Sequence, residues 1–129
     1  MLTLMKIEEV APPGEHTGVF TKVAIETGKD DIGVEYKHLV LVVDLDAVDS
    51  TGKKFPLKRQ YKINISRGLT AFRNDFADWS GQKLTDYELN KFDAEKLMKG
   101  KPVKLFVRHR KEGKKPVAVI DRFLRTVIE

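Results

Sequence analysis

The chain has 129 residues, of which 41% are hydrophobic and 33% are charged, and its formal net charge is +5. This length fits one domain and is too short for two domains of ordinary size. Cysteine is absent, which excludes disulfides, thiolate metal sites and cysteine nucleophiles. The longest apolar run, Leu39–Val43, is far shorter than the about 20 residues that a membrane-spanning helix needs. With no secretory pattern in Met1–Lys6, we expect a cytoplasmic protein with no membrane partner.

The first sixteen residues, 1–16, are predicted to form an arm, because Pro12-Pro13-Gly14 interrupts a short alternation of apolar residues. Residues 17–129 are predicted to form a single domain. Its first three strands are expected, from runs of period-two alternation bounded by turn residues, at Thr17–Thr27, Tyr36–Val48 and Phe55–Ile65.

Two of these strands carry cations on the side that alternation assigns to solvent. In the first strand, Val19 and Val23 are expected to face the core, while Phe20 and Lys22 face outward. The third strand is two-faced in the same way, so its cations fall mainly on one side. The outward set of that strand includes Lys58 and Lys62.

Arg59 lies on the otherwise apolar, inward side of the third strand. A buried guanidinium needs a carboxylate partner. We therefore expect Arg59 near a barrel mouth or paired with an acid such as Asp44 or Asp46.

A change to helical spacing follows the third strand. Four large apolar residues recur every three or four positions and predict a helix over Leu69–Trp79 with this stripe in the core; they are Leu69, Phe72, Phe76 and Trp79. Asp93 is expected to cap a short helical turn that ends at Met98, with Leu97 facing inward. Another short turn is expected to start at Thr85-Asp86-Tyr87-Glu88.

Two further strands complete the chain. Pro102 begins the fourth strand, in which Val103, Leu105 and Val107 alternate with outward-facing Lys104, Phe106, Arg108 and Arg110. A turn at Lys111–Pro116 leads to the last strand, Val117–Val127. Three strands, a helix and two strands predict a mostly β protein with a small helical content. The order is that of a five-stranded antiparallel barrel of the oligonucleotide/oligosaccharide-binding (OB) type, with its helix between strands three and four.

Several short motifs carry a family resemblance. They are Gly18-Val19-Phe20-Thr21-Lys22-Val23, Tyr36-x-x-Leu39-x-Leu41, Gly52-Lys53 before a basic strand, Gly81-x-x-Leu84-Thr85 and Leu97-x-x-Gly100-Lys101. With its closing hairpin, the chain resembles the small single-stranded DNA-binding-like OB proteins that phages and mobile elements encode. The resemblance implies an OB barrel that binds nucleic acid along its sheet, framed by the loop after strand one and the loop between strands four and five.

The C-terminal end departs from the pattern of bacterial single-stranded DNA-binding proteins. Those proteins typically end in a flexible acidic tail with an aromatic tip, whereas this chain ends Arg125-Thr126-Val127-Ile128-Glu129. Recruitment of repair partners through such a tail is therefore not expected.

The distribution of charge points to a polyanion as the partner. From Lys99 to Arg125 the chain carries ten Lys and Arg against only Glu112 and Asp121, whereas the stretch Asp75–Glu95 is acidic. Outward aromatics suit base stacking, and cations beside them can follow the phosphates of a single strand. The stacking candidates are Phe20, Tyr36 and Phe106, and the phosphate-binding candidates are Lys22, Lys58, Lys62, Arg108, Arg110, Lys114 and Lys115.

The sequence thus predicts a binding protein for single-stranded DNA with little sequence preference, as an accessory to replication or recombination. An OB-like interaction or structural module, whose basic face meets an acidic protein, is the alternative. The sequence does not determine whether DNA or RNA is preferred. It also leaves open the number of nucleotides in the binding site and whether the protein forms a homo-oligomer.

Catalytic and metal-binding patterns are weak. His16, His38 and His109 have no ligand spacing. The segment Asp44-x-Asp46-x-x-Asp49 lacks the glycine and the distal glutamate of a calcium loop. We therefore expect no enzyme activity, no metal site and no cofactor.

Overall fold

The computed structural model describes residues 9–85, 88 and 93–127. Within these ranges the protein is mostly β, with one sheet of five antiparallel strands in the order β3-β2-β1-β4-β5. The strands are β1 (Gly14–Lys29), β2 (Glu35–Val48), β3 (Lys54–Lys62), β4 (Pro102–Glu112) and β5 (Lys115–Leu124), and the helices are α1 (Ser66–Ser80) and α2 (Ala94–Met98). The predicted mostly β class, the five antiparallel strands and the helix between β3 and β4 are confirmed.

Strand β1 takes part in both halves of the sheet. Its first part pairs with β4 up to Val19, opposite Pro102, and from Gly18 onward it pairs with β2. A bulge between Phe20 and Lys22 marks the point where β1 leaves β4. There the Phe20 N–H donates to the carbonyl of Lys101 at 3.1 Å, and the N–H of Gly100 donates to the Phe20 carbonyl at 2.7 Å. Because a bulge bends its strand and increases the twist, β1 turns a corner at this point.

The bulge places Phe20 in the core, so its predicted outward position is wrong. Phe20 is 0% exposed, and its ring meets Trp79 edge-on at 5.2 Å between centroids. The extra residue, Thr21, shifts the alternation by one position, so Phe20 and Val23 face the same side. Val19, expected in the core cluster, is only half-buried on the outer side. Phe20 is therefore excluded as a base-stacking residue.

Helix α1 covers the core with the predicted aromatic stripe. Phe72, Phe76 and Trp79 are buried. Leu69, predicted to lie in the core with them, is only half-buried. The Trp79 indole N–H donates to the carbonyl of Pro102 at 3.0 Å. The helix ends at Ser80 and is followed by Gly81, whose φ of 77° is left-handed and whose N–H donates to the carbonyl of Ala77. Ile65 flanks its start with an extended backbone, and β3 ends at Lys62, three residues before the predicted end.

The first turn of α1 approaches β3 very closely. A Cβ atom added at Gly68 would lie 1.7 Å from the backbone carbonyl oxygen of Lys62. Only glycine allows this approach. The contact fixes the helix against the end of β3.

Helix α2 is capped as predicted but faces the core through a different residue. The Asp93 carboxylate accepts from the N–H of Lys96 at 3.1 Å. Met98 is 2% exposed, whereas Leu97 is 48% exposed, so the inward position predicted for Leu97 is wrong. Directly after Met98 the chain turns towards β1, where the N–H of Gly100 donates to the carbonyl of Phe20.

The turn predicted at 85–88 lies only partly within the described residues. Thr85 and Glu88 exchange two reciprocal side-chain to backbone hydrogen bonds of 3.2 Å. This is the pattern of a capping box, which typically opens a helical turn.

The segment before β1 is attached to the sheet at several points. The Glu9 carboxylate accepts from the backbone N–H and the hydroxyl of Ser50 in the β2–β3 turn. Ala11 is buried in the core, and its carbonyl lies 2.7 Å from the ring nitrogen Nε2 of His109. β1 begins at Gly14, three residues earlier than expected, and residues 1–8 of the predicted arm lie outside the described residues.

The edge strands β3 and β5 meet through a side chain. Arg59 of β3 donates from Nη1 to the carbonyl of Ile120 in β5 at 2.8 Å. Its Nε atom lies 2.9 Å from the carboxylate of Asp75 in α1. Arg59 is thus paired with an acid, as expected, but the acid is Asp75 rather than Asp44 or Asp46. Within the described residues no backbone ladder joins β3 to β5, so the sheet is not closed there by main-chain bonds.

Tyr61 is the third member of the buried polar cluster to which Arg59 and Asp75 belong. Its hydroxyl donates to the Asp75 carboxylate at 2.5 Å, and its ring lies under the Arg59 guanidinium. Burial, together with the neighbouring Asp75 charge, raises the pKa of Tyr61 well above its ordinary value near 10. The phenol therefore stays protonated and acts as a donor.

Candidate nucleic-acid interface

The sheet carries two groups of cations and rings on the side away from the core. We name the first group the β1–β3 patch. The register of the strands brings its residues together: Lys58 of β3 lies opposite Val42 of β2, and Val42 lies opposite Lys22 of β1. Lys62 of β3 lies opposite His38 of β2. Its members are Lys22, Tyr36, His38, Lys58, Gln60 and Lys62.

Two rings form the flat part of the β1–β3 patch. Tyr36 and His38 stack with 4.6 Å between centroids and 24° between planes, and the Gln60 amide nitrogen lies 2.7 Å from His38 Nδ1. Tyr36 also covers Gly28, where an added Cβ would lie 2.4 Å from the Tyr36 hydroxyl. Glycine at this position of β1 thus allows the ring to lie flat on the strand.

The cations of the β1–β3 patch differ in their availability. Lys22 pairs with Glu26 at 3.2 Å. Lys58 and Lys62 are exposed and form no ion pair with any residue that the structure describes. These two lysines can therefore bind an anion without first releasing a carboxylate.

The second group, which we name the β4–β5 patch, is built around Phe106. A register shift between Phe106 and Val107 places Arg122 opposite Phe106, and the Arg122 guanidinium carbon lies 5.1 Å from the centre of the ring. Phe106 is half-buried. The patch comprises Lys104, Phe106, Arg108, Arg110 and Arg122.

The three arginines of the β4–β5 patch form ion pairs with carboxylates of the same two strands. Arg108 lies 3.2 Å from Asp121, and Arg122 lies 3.9 Å from the same carboxylate. Arg110 pairs with Glu112. The side chains of all three arginines are more than half exposed, and ion pairs of this kind contribute at most about 1 kcal/mol. A phosphate can therefore replace these partners at small cost.

The predicted site residues fall into four places. Lys22, Tyr36, Lys58 and Lys62 lie together on the β1–β3 patch, and Phe106, Arg108 and Arg110 lie together on the β4–β5 patch. Lys114 and Lys115 lie at the end of the β4–β5 hairpin. Phe20 is in the core.

Sequence reasoning missed His38 and Arg122 as members of these patches. His38 follows Tyr36 by two positions on the same face of β2, so period-two alternation could have found it. Arg122 could not have been found in this way, because a register shift decides its neighbour.

In residues 9–85, 88 and 93–127, no group of three or more His, Cys, Asp or Glu side chains is arranged to hold a metal ion. None of the helices described is long and apolar enough to cross a membrane. The chain matches no protein-family model and no curated protein in a comparison with both.

Proposed function

We propose that the protein binds single-stranded DNA on the outer side of its sheet, with little sequence preference, as an accessory to the replication or recombination of a phage or mobile element. The observation that carries this proposal is Phe106, a half-buried ring that the long side chain of Arg122 covers and that further cations surround. A base can take the place of the Arg122 side chain on this ring, while arginines bind the adjacent phosphates.

An OB-type barrel is part of the same proposal. Its support is the element order, the helix α1 between β3 and β4, and the hydrogen bond from Arg59 of β3 to the backbone of β5. The resemblance to single-stranded DNA-binding-like OB proteins points the same way. In this architecture the sheet face and its bordering loops bind oligonucleotides.

Removing two arginines tests the electrostatic part of the proposal. We expect Arg108→Ala/Arg110→Ala to weaken binding to a labelled dT oligomer, measured by fluorescence anisotropy across a salt series. The slope of log K against log salt should fall by about 0.7 for each phosphate of the single strand that is no longer neutralised. Lys83→Ala/Lys96→Ala removes the same charge from exposed positions outside both patches and should leave the slope unchanged. An equal change in both variants would contradict a local site.

Removing the ring tests stacking separately. We expect Phe106→Ala to lower the affinity for the dT oligomer by about 1–3 kcal/mol. The salt slope should stay nearly the same, because stacking releases no counterions. If the wild-type protein has no affinity for single strands at low salt, the proposal is wrong. The basic patches would then serve an acidic protein partner.

A further inference from the structure

The hairpin at the end of β4 and β5 extends beyond the rest of the sheet. The pairing of β1 with β4 ends at Gly14, opposite Val107, and from Arg108 onward β4 pairs only with β5. Every residue from Arg108 to Pro116 is exposed. His109 still contacts the segment before β1 through Ala11, so the free part of the hairpin begins at Arg110.

This hairpin carries cations on both of its faces. Alternation places Arg108 and Arg110 on the outer face and Lys111 on the opposite face, the one that Val107 occupies. Lys114 lies at the turn. Lys111 and Lys114 form no ion pair with any residue that the structure describes. A hairpin that bound a single nucleic-acid strand along one of its faces would need cations on that face only. Cations on two faces and at the tip fit a ligand with phosphates on both sides.

The size of the hairpin fits a groove of duplex DNA. Three residue pairs lead to the turn, from Arg110 opposite Val117 to Glu112 opposite Lys115, and at 3.4 Å per residue they extend about 10 Å. The major groove of B-DNA is about 12 Å wide and about 8.5 Å deep, and it admits a two-stranded β-ribbon. Each wall of that groove is a phosphate backbone.

We propose that the hairpin from Arg110 to Val117 inserts into the major groove of duplex DNA, so that the protein binds the junction at which a single strand leaves a duplex. The single-strand part of this inference rests on the proposed function, whereas the duplex part does not. The major groove of an RNA duplex is too narrow for side chains to read, so the duplex ligand is DNA.

Lys111 is the residue that separates the two activities, because it lies on the face turned away from the single-strand patches. Fluorescence anisotropy is measured with a dT oligomer, a blunt DNA duplex, the same duplex with a single-stranded dT tail, and an RNA duplex of equal length. The variants are Lys111→Glu, the conservative Lys111→Arg, and Lys83→Glu as a control for the same change in net charge.

We expect the wild type to bind the tailed duplex more tightly than either the dT oligomer or the blunt duplex. Lys111→Glu should weaken binding to both DNA duplexes about tenfold, because a cation that neutralises a phosphate is replaced by an anion that repels it. It should affect the dT oligomer no more than Lys83→Glu does. Lys111→Arg should bind like the wild type.

Three results would overturn the inference: no binding of the blunt DNA duplex at low salt, equal binding of the RNA and DNA duplexes, or an equal loss of dT and duplex binding in Lys111→Glu. In each of these cases binding of the dT oligomer by the wild type would leave the proposed function standing. Conversely, a protein that binds the duplexes but not the dT oligomer would refute the proposed function and retain the duplex site.

Discussion

Phe76→Ala is expected to lower the free energy of unfolding by about 3–5 kcal/mol, as truncation of a buried phenylalanine does. Phe76 is 5% exposed, and its ring packs against Trp79 at 5.7 Å and Phe72 at 6.1 Å between centroids. These two large rings are themselves buried and cannot collapse into the space that the substitution leaves. Chemical denaturation monitored by circular dichroism measures the effect.

Phe106→Ala is the matched control, because it removes the same atoms from the outer side of β4. Phe106 is half-buried and borders the exposed arginines of the β4–β5 patch, so its removal should cost much less. If Phe106 proved the costlier of the two, the assignment of inner and outer faces in β4 would be wrong.

Asp75→Ala should lower the free energy of unfolding by about 3 kcal/mol, because it leaves the Arg59 guanidinium and the Tyr61 hydroxyl without their shared acceptor. The side chains of Arg59 and Asp75 are 29% and 14% exposed, so water can replace the carboxylate only in part. Urea denaturation measures the destabilisation.

A double variant tests the cause of that destabilisation. Arg59→Met/Asp75→Leu removes both charges and keeps apolar volume, and it should be less destabilising than Asp75→Ala alone. A greater destabilisation in the double variant would mean that the ion pair itself, rather than an unpaired charge, determines the energy.

Alkaline titration gives a second readout of the same variant. The pKa of Tyr61 is raised, first by burial and then by Asp75, so the neutral phenol is favoured in the folded state. Its contribution to stability is fully present below the ordinary tyrosine pKa near 10 and is lost as the pH rises above that value. In Asp75→Ala the pKa of Tyr61 should fall, yet stay raised by burial. Ultraviolet absorbance of tyrosinate follows this change, with Tyr61→Phe as the reference.

Segments with unbroken periodicity were predictable from the sequence. The aromatic stripe of α1 and the alternation of β4 depend only on local spacing, and the buried residues of both elements agree with it. The inward position of Arg59 in β3 followed from the same pattern. Phe106 and the arginines beside it were placed on one outer face for this reason.

Features that depend on the register between strands were not predictable. Phe20 lies in the core because a bulge adds one residue to β1, and Arg122 covers Phe106 because a second irregularity shifts β5 against β4. The partner of Arg59 comes from α1 rather than from a neighbouring strand, and no local pattern indicates how a helix will lie across a sheet. Local spacing in the sequence therefore predicts the side of a strand or helix on which a residue lies, whereas the residues that it contacts depend on three-dimensional packing.

Because β1 turns a corner at its bulge, a ligand that contacts both patches has to be flexible. One half of β1 borders the β4–β5 patch and the other half borders the β1–β3 patch, with the bulge at Thr21 between them. A polymer that spans both patches has to change direction within a few nucleotides. Duplex DNA resists bending over about 50 nm, whereas a single strand turns freely at every nucleotide. For the proposed function, a single surplus residue in β1 would thus make flexibility of the polymer a criterion of selection, independent of its base sequence.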